Sequence, residues 1–429
     1  MEHTHTESLT HIKQVQWLQL QKQLRYLDRH SPFYREMFRK NDIDITTIET
    51  YSGFKKIPLT SKEDLQLYND QFISIPKEDI IDHVTTSGTL GKPVSLMLNE
   101  ADLQRLTLNE YESFKMAGVK KADVVQITTT LDRRFMAGLA YFLGLRKLGA
   151  GIVRTGSGFP QLQWDSIERF KPKYLVCVPS FLLKMTEYAI AHNIDFRNSS
   201  VKAAICIGEP VRNVEFELNS LGRRIKELWD IELYSTYAST EMATAFTECS
   251  AHKGNHVQPE LIYPEILDQA GVHVIPGEVG ELVITTLQTE TMPLLRFATG
   301  DILTYTEEPC SCGRNTMRLS PVLGRKKQMI KLKGTSLYPQ NIIEVMNQVK
   351  GIDDFVIEAR RGELGIDTVT VKIPEGVSLD TLNELYDHFR SKLQVAPEIE
   401  AVSRDVIETL KFPGESRKPQ VFRDFRREE

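Results

Sequence analysis

The chain reads as α/β: a large N-terminal domain of mostly parallel sheet flanked by helices, with a β-rich subdomain, then a small α+β C-terminal domain. Three observations predict this. Between Val124 and Tyr237, short apolar runs alternate with helical stretches, the cadence of a parallel sheet covered by helices. Past Met242 the texture changes, and Gly277 to Thr286 reads as a turn and strand of a mostly β region. After Gly324, the runs Met329 to Lys333 and Val356 to Ala359 alternate with helices at Pro339 to Val349 and Leu379 to Leu393, which makes a unit of ordinary domain size. The charged segment Gly324 to Gln328 is the joint, dividing the chain into 1–324 and 325–429.

Taken in order, residues 8–41 are helical, with Leu9, Ile12, Val15, Leu18, Leu20 and Leu24 near helical spacing and a break at Ser31-Pro32. Pro58 to Asp64 looks like a capped helix start, with Thr60 and Ser61 as cap candidates. Glu100 to Met116 is a helix, Val124 to Thr129 a strand, and Met136 to Leu148 a helix running onto Gly149. Strands follow at Gly151 to Val153, Lys173 to Val178, Ala203 to Ile207 and Ile231 to Tyr237. Helices are expected at Ile167 to Phe170, Phe181 to His192 and Val214 to Trp229. In such sheets, ligands sit at the carboxyl ends of the strands, where Gly208-Glu209-Pro210 and Tyr237 to Glu241 fall.

With 429 residues, 41% hydrophobic and 26% charged, the composition is that of a folded protein of two to three domains. A net charge of −5 argues against a general nucleic-acid or anionic-membrane binder. The longest apolar run, Met136 to Leu145, is too short to span a bilayer. Met1 to Gln16 has no apolar segment of signal-peptide type, so the expectation is cytoplasmic. Five cysteines do not make a disulfide framework.

Several stretches could carry chemistry. Thr85 to Pro93 gathers four hydroxyls, two glycines and Lys92 in nine residues. With Val94, Leu96 and Leu98 alternating after it, this is either a phosphate cradle or a hairpin turn rich in Thr and Gly; its spacing is not that of a Walker A loop. Thr240 and Glu241 could hold a phosphate oxygen and Mg²⁺, or Ser239 could cap a helix. Asp301 could accept a ribose diol, or sit in an ordinary Gly-Asp turn. Cys249, His252, His256, Cys310 and Cys312 could supply three thiolates and one imidazole to a closed, structural zinc site, or remain two unrelated thiol groups. Cys177 and Cys206, in apolar strands, read as core.

In their order, these pieces resemble the phenylacetate–CoA ligase branch of the adenylate-forming (ANL) enzymes. The matching stretches are Ser87 to Pro93, Gly208-Glu209-Pro210, Tyr237 to Glu241 and Met292 to Asp301. Gly324-Arg325 with Lys327, Gly334 to Glu344, Gly254 to Val257 and Cys310 to Arg314 also match. The resemblance implies that Thr86, Ser87, Gly88, Thr89, Gly91 and Lys92 hold the ATP phosphates. Gly208, Glu209, Pro210, Tyr237, Ala238 and Ser239 would line the nucleotide site, with Glu209 and Tyr237 framing the adenine. Thr240 would touch phosphate, Glu241 bind Mg²⁺, and Asp301 take the ribose hydroxyls with Arg325 nearby. Lys418 would bridge carboxylate and α-phosphate, and Lys327 would be the pivot of a mobile C-terminal domain. His256 would complete the zinc set with Cys249, Cys310 and Cys312. Three departures stand out: Leu90 where a hydroxyl is usual, Ala238 for Gly, and Arg417-Lys418-Pro419 for Gly-Lys-small, which leaves Lys411 as a rival to Lys418.

The implied activity is ATP-dependent activation of a carboxylic acid, an aryl acid such as phenylacetate, through an acyl-adenylate, followed by thioester formation with coenzyme A. Phe135, Phe142, Phe159 and Tyr237 suit an aromatic or medium apolar acid, or are plain core, the commoner role of such residues. Cofactors would be ATP, Mg²⁺, coenzyme A and structural Zn²⁺, with a homodimer as the family-level expectation. Rival readings are transfer to an amine or carrier protein, a non-catalytic nucleotide- and zinc-binding protein, and a zinc hydrolase, which a site closed by four protein ligands disfavours.

Overall fold

Strands Gly151–Arg154, Val124–Ile127, Tyr174–Cys177, Ala203–Cys206 and Glu232–Ser239 lie side by side and parallel in the computed structural model, which describes residues 4–86, 93–362, 367–413 and 419–426. Their apolar runs are continuous because both faces are covered. Leu175, Cys177, Ala204, Cys206 and Leu233 enter one hydrophobic cluster, while Val125, Ile127, Tyr174, Val176, Ala203 and Ile205 enter another. The helices on these faces include Met136–Leu148, Pro179–Ala191 and Ser220–Leu228. Gly149 ends the first of these at φ +79°, a left-handed cap that glycine adopts without strain. Cys177 and Cys206 are fully buried, as core residues should be.

After Glu232–Ser239 the sheet turns antiparallel, through Thr244–Glu248, Asn255–His256, Arg318–Leu319 and Tyr305–Thr306. The α/β architecture thus agrees with the alternation in the sequence. One helix does not. Val214 to Trp229 is helical only over Ser220–Leu228. Before it, Asn213 and Glu217 form a tight turn: Asn213 N–H donates to the Glu217 carbonyl, and Glu217 N–H donates to Asn213 Oδ1, with Phe216 at φ +65°. Asn219 then caps the helix by accepting from Gly222 N–H.

The chain falls into two compact units. The first comprises residues 4–86, 93–299 and 303–321; the second comprises 300–302, 322–362, 367–413 and 419–426. In the first, the N-terminal helices Leu9–His30 and Pro32–Lys40 share a core with the antiparallel strands Ile262–Leu267 and Gly280–Thr286. In the second, strands Glu398–Val402, Asp367–Pro374, Val356–Arg361 and Phe422–Asp424 form one sheet. Ile342, Val345, Leu385 and Phe389, from helices Pro339–Met346 and Leu379–Leu393, join its core.

Candidate functional site

Thr86 closes the hairpin of Asp82–Thr85 and Ser95–Leu98. Its N–H donates to the Val94 carbonyl, and its buried hydroxyl accepts from Val94 N–H. That hydroxyl therefore ties Thr86 to Val94. Ser87, Gly88, Thr89, Leu90, Gly91 and Lys92, and Lys418 at the other end of the chain, lie outside the described residues.

The other nucleotide-site candidates of the first unit gather at the carboxyl ends of neighbouring parallel strands. Gly208 (φ +76°) turns the chain after Ala203–Cys206. Glu209 then accepts from Ser180 N–H (2.9 Å) and Ser180 Oγ (2.8 Å) at the start of helix Pro179–Ala191. The Pro210 carbonyl accepts from the Asn219 amide at 2.8 Å. One strand over, Tyr237 stacks on its cross-strand partner Phe246, with centroids 5.8 Å apart. Ala238 faces solvent, and Ser239 Oγ accepts from Met242 N–H. No helix follows: Thr240 to Ala243 is a turn into the antiparallel strand Thr244–Glu248, so the helix-cap alternative for Ser239 is not realised. Glu241 sits in that turn, and its Oε1 lies 3.1 Å from the Lys62 ammonium. A single carboxylate in a turn can serve Mg²⁺, which takes one or two protein oxygens and completes its shell with phosphate and water.

Asp301 and Arg325 belong to the second unit. They are cross-strand partners, with Arg325 Nε 3.2 Å from Asp301 Oδ1. Lys327 lies in the short 3₁₀ turn Lys326–Gln328 just after them. Lys411 ends the helix Arg404–Lys411 and is ion-paired with Asp354. Of the aromatic candidates for the acid pocket, Phe142 lies under the Arg154 guanidinium, whereas Phe159 is 77% exposed.

The cysteine and histidine candidates converge. One ligand atom from each of Cys249, His256, Cys310 and Cys312 lies within 4.8 Å of the other three. Cys249 Sγ is 3.6 Å from Cys310 Sγ, and Cys312 Sγ is 3.6 Å from His256 Nε2. Tetrahedral zinc with ordinary Zn–S and Zn–N bonds would set such edges at roughly 3.5–3.8 Å, which the two 3.6 Å pairs match, and three thiols with one imidazole are a zinc-type donor set. His256 Nδ1 meets Thr316 Oγ1 at 2.8 Å, which fixes the ring and turns Nε2 toward the thiols. Cys249 accepts from Ala251 N–H, and Cys312 from Arg314. Burial opposes ionisation of Cys312, but hydrogen bonds from His256 and Arg314 overcome it and hold the thiol down at about 5; burial pushes Cys249 up to about 12. Burial likewise lowers the His256 imidazole. His252, the rival ligand, is taken elsewhere, between Glu248 (3.1 Å) and Glu232 (3.3 Å). The N-terminal segment straps this knuckle: Asn315 N–H donates to the His5 carbonyl, and its amide to those of Thr6 and Glu7.

Sequence reasoning missed Ser180, Lys62, Arg105 and Asn109. Each stands in an ordinary helix, and only the fold brings it to a motif. The one local hint was the capping pattern Ser61 to Asp64, which fixes where Lys62 begins a helix.

Residues 34–291 match the family described as AMP-binding enzyme. The chain is similar to the phenylacetate-coenzyme A ligase of Thermus thermophilus (26% identity over 371 residues, 85% of this chain and 82% of that one). It is also similar to that of Aromatoleum evansii (27% over 368 residues, 84% and 81%). Its fold resembles that of 2-hydroxyisobutyryl-CoA ligase in the postadenylation state in complex with 2-HIB-AMP (TM-score 0.86, 22% identity, 99% of this chain and 92% of that one). Among the described residues, no helix is long and apolar enough to cross a membrane.

Proposed function

The chain belongs to the AMP-binding enzyme family, and from that premise we propose that it is an AMP-forming acyl-CoA ligase acting on an aryl acid. The acid's carboxylate oxygen attacks the α-phosphorus of ATP; the bond to the pyrophosphate oxygen breaks, and pyrophosphate leaves. The thiol of coenzyme A then displaces AMP from the acyl-adenylate. Charge gathering on the phosphoryl group is what the protein must offset. The observation that supports this reading is that Glu209 and the stretch Tyr237 to Glu241 lie at the carboxyl ends of adjacent parallel strands, with the Lys62 ammonium at Glu241.

In this reading Glu241 holds Mg²⁺, Thr240 and the loop from Thr86 to Lys92 hold phosphate, and Glu209 and Tyr237 flank the adenine. Asp301 takes the ribose diol, with Arg325 beside it. Residues 325–429 form a mobile domain that turns about Lys327, bringing Lys418 in for adenylation. The metal ion supplies charge neutralisation at the phosphates. The similarity to phenylacetate-coenzyme A ligases is what supports an aryl acid over an aliphatic one. Cys249, His256, Cys310 and Cys312 hold a structural zinc ion, since four protein ligands leave no open position.

ATP–pyrophosphate exchange with a panel of aryl and aliphatic acids tests the first half-reaction. Exchange dependent on an aryl acid, followed by acyl-CoA on adding coenzyme A, is expected. A folded protein that exchanges with no acid overturns the reading, and product formation with an amine but not with coenzyme A moves the acceptor. Sedimentation reads the expected homodimer.

A further inference from the structure

We infer that Lys62 is a phosphate-binding residue of the adenylation site, resting on Glu241 until the nucleotide arrives. The inference rests on the adenylation reading above and extends it to a residue in none of the matched motifs.

The two charges are 179 positions apart in sequence and 3.1 Å apart in space. Neither is a free surface group: the lysine side chain is 29% exposed and the glutamate 12%. The lysine is delivered by an anchored piece of backbone. Thr60 N–H donates to the Arg296 carbonyl (3.0 Å), Ala298 N–H donates to the Thr60 carbonyl (2.8 Å), and Thr60 Oγ1 donates to the Leu295 carbonyl (2.7 Å). The segment before Lys62 is thus laid as a parallel rung on Phe297. Arg296 reaches back to the carbonyls of Lys55 and Ile57 while paired with buried Glu265. Immediately after Thr60, Ser61 and Asp64 cap each other's backbone and fix the helix Lys62–Leu67. Such fixing on both sides leaves the lysine stem as the movable part.

A carboxylate oxygen held by an ammonium cannot also bind a dication at full strength, because the two cations repel at that range. When the nucleotide brings Mg²⁺ to Glu241, the ammonium needs another anion, and the phosphate oxygens are the anions that arrive. Moving from carboxylate to phosphate keeps it charge-assisted in both states. There it offsets the negative charge that collects on the departing pyrophosphate and stays protonated throughout; no bond to it forms or breaks.

The test uses full-length wild type, Lys62→Met and Lys62→Arg, with thermal midpoints as the folding check and Lys62→Gln in reserve should the methionine variant misfold. Calorimetry with ATP and Mg²⁺ should show Lys62→Met binding roughly 10-fold more weakly, and Lys62→Arg within about 3-fold of wild type. Electron paramagnetic resonance with Mn²⁺ as the probe should show the ion still bound in the ATP complex of Lys62→Met. Exchange of pyrophosphate into ATP should fall roughly 100-fold in Lys62→Met, while thioester formation from supplied acyl-adenylate stays within about 3-fold. Wild-type exchange together with near-normal ATP binding and exchange in Lys62→Met overturns the inference alone. Equal loss of both half-reactions, or Lys62→Arg no better than Lys62→Met, overturns it in favour of a purely structural ion pair. A wild type that neither binds ATP nor exchanges overturns the adenylation reading, and this inference with it.

Discussion

Asn109 grips Ala245 by both backbone groups: its amide donates to the carbonyl at 3.2 Å and accepts the N–H at 2.8 Å. One turn earlier on the same helix, Arg105 donates to the carbonyls of Ala243 (2.7 Å), Leu287 (2.7 Å) and Leu261, and to Thr244 Oγ1 (3.0 Å). Together they hold the chain as it leaves the Glu241 turn, where Ala243 takes φ +44°, a left-handed conformation that a residue with a Cβ adopts only under constraint. Burial lowers the Arg105 guanidinium to about 10, so the site keeps the charge at a cost and its acceptors must offset that cost.

Lys cannot serve four acceptors spread around a planar fork. Arg105→Lys is therefore expected to lower unfolding free energy by about 2–4 kcal/mol, and Asn109→Ala by about 1–3 kcal/mol, in urea titrations. Unchanged midpoints in both would show that the turn is held by other means.

The thiol and imidazole donors lead to a metal-removal prediction. One zinc per chain is expected by elemental analysis of the purified protein. Cys310→Ser or strong chelation should remove it and lower Tm by roughly 5–10 °C, because the ion ties Cys249 to Cys310 across a long loop. Exchange activity of the protein that remains folded should stay within about 3-fold, as suits a closed structural site. Full activity loss at unchanged Tm would make the ion catalytic.

Glu110 gives a pH prediction. It is buried on helix Glu100–Met116 against Gly144, where even a methyl group would meet the Glu110 Cβ at 2.4 Å. Burial pushes its carboxyl from 4.5 up to about 8. A raised folded pKa means the folded state holds a proton that the unfolded state releases. The contribution to stability is full below about 4.5, declines as pH rises, and is lost above about 8. Urea midpoints should fall across that window in wild type and stay flatter in Glu110→Gln.

Periodicity made the parallel sheet legible because its strands are buried on both faces and its helices are long. Glu100–Met116 and Leu379–Leu393 begin and end where their apolar spacing does. Residues 214–219 were illegible for a local reason: Asn213 exchanges hydrogen bonds with Glu217, which turns a helix-like composition into a turn. Glu209, Tyr237 and Glu241 stood out as candidates because glycine, aromatic and acidic residues cluster where strands end. Lys62 and Arg105 did not, since a lysine or arginine in an amphipathic helix looks the same whether it meets water or a carboxylate 179 positions away.

The two C-terminal lysines can be separated by half-reaction. Lys411 is only partly exposed and committed to Asp354, an ion pair inside the second unit, so its ammonium already has a partner. Truncating it leaves a carboxylate without that partner, and Lys411→Ala should lower stability by about 1 kcal/mol while both half-reactions keep their ratio. Lys418 has a different predicted signature. If it bridges the acid's carboxylate and the α-phosphate only while the C-terminal domain is turned in, Lys418→Ala removes an interaction of the first transition state alone. Exchange should then fall roughly 100-fold or more, with thioester formation from supplied adenylate within about 3-fold. A loss of exchange in Lys411→Ala but not in Lys418→Ala would reverse the assignment. Equal loss of both steps in Lys418→Ala would argue against alternation of the domain between the two reactions.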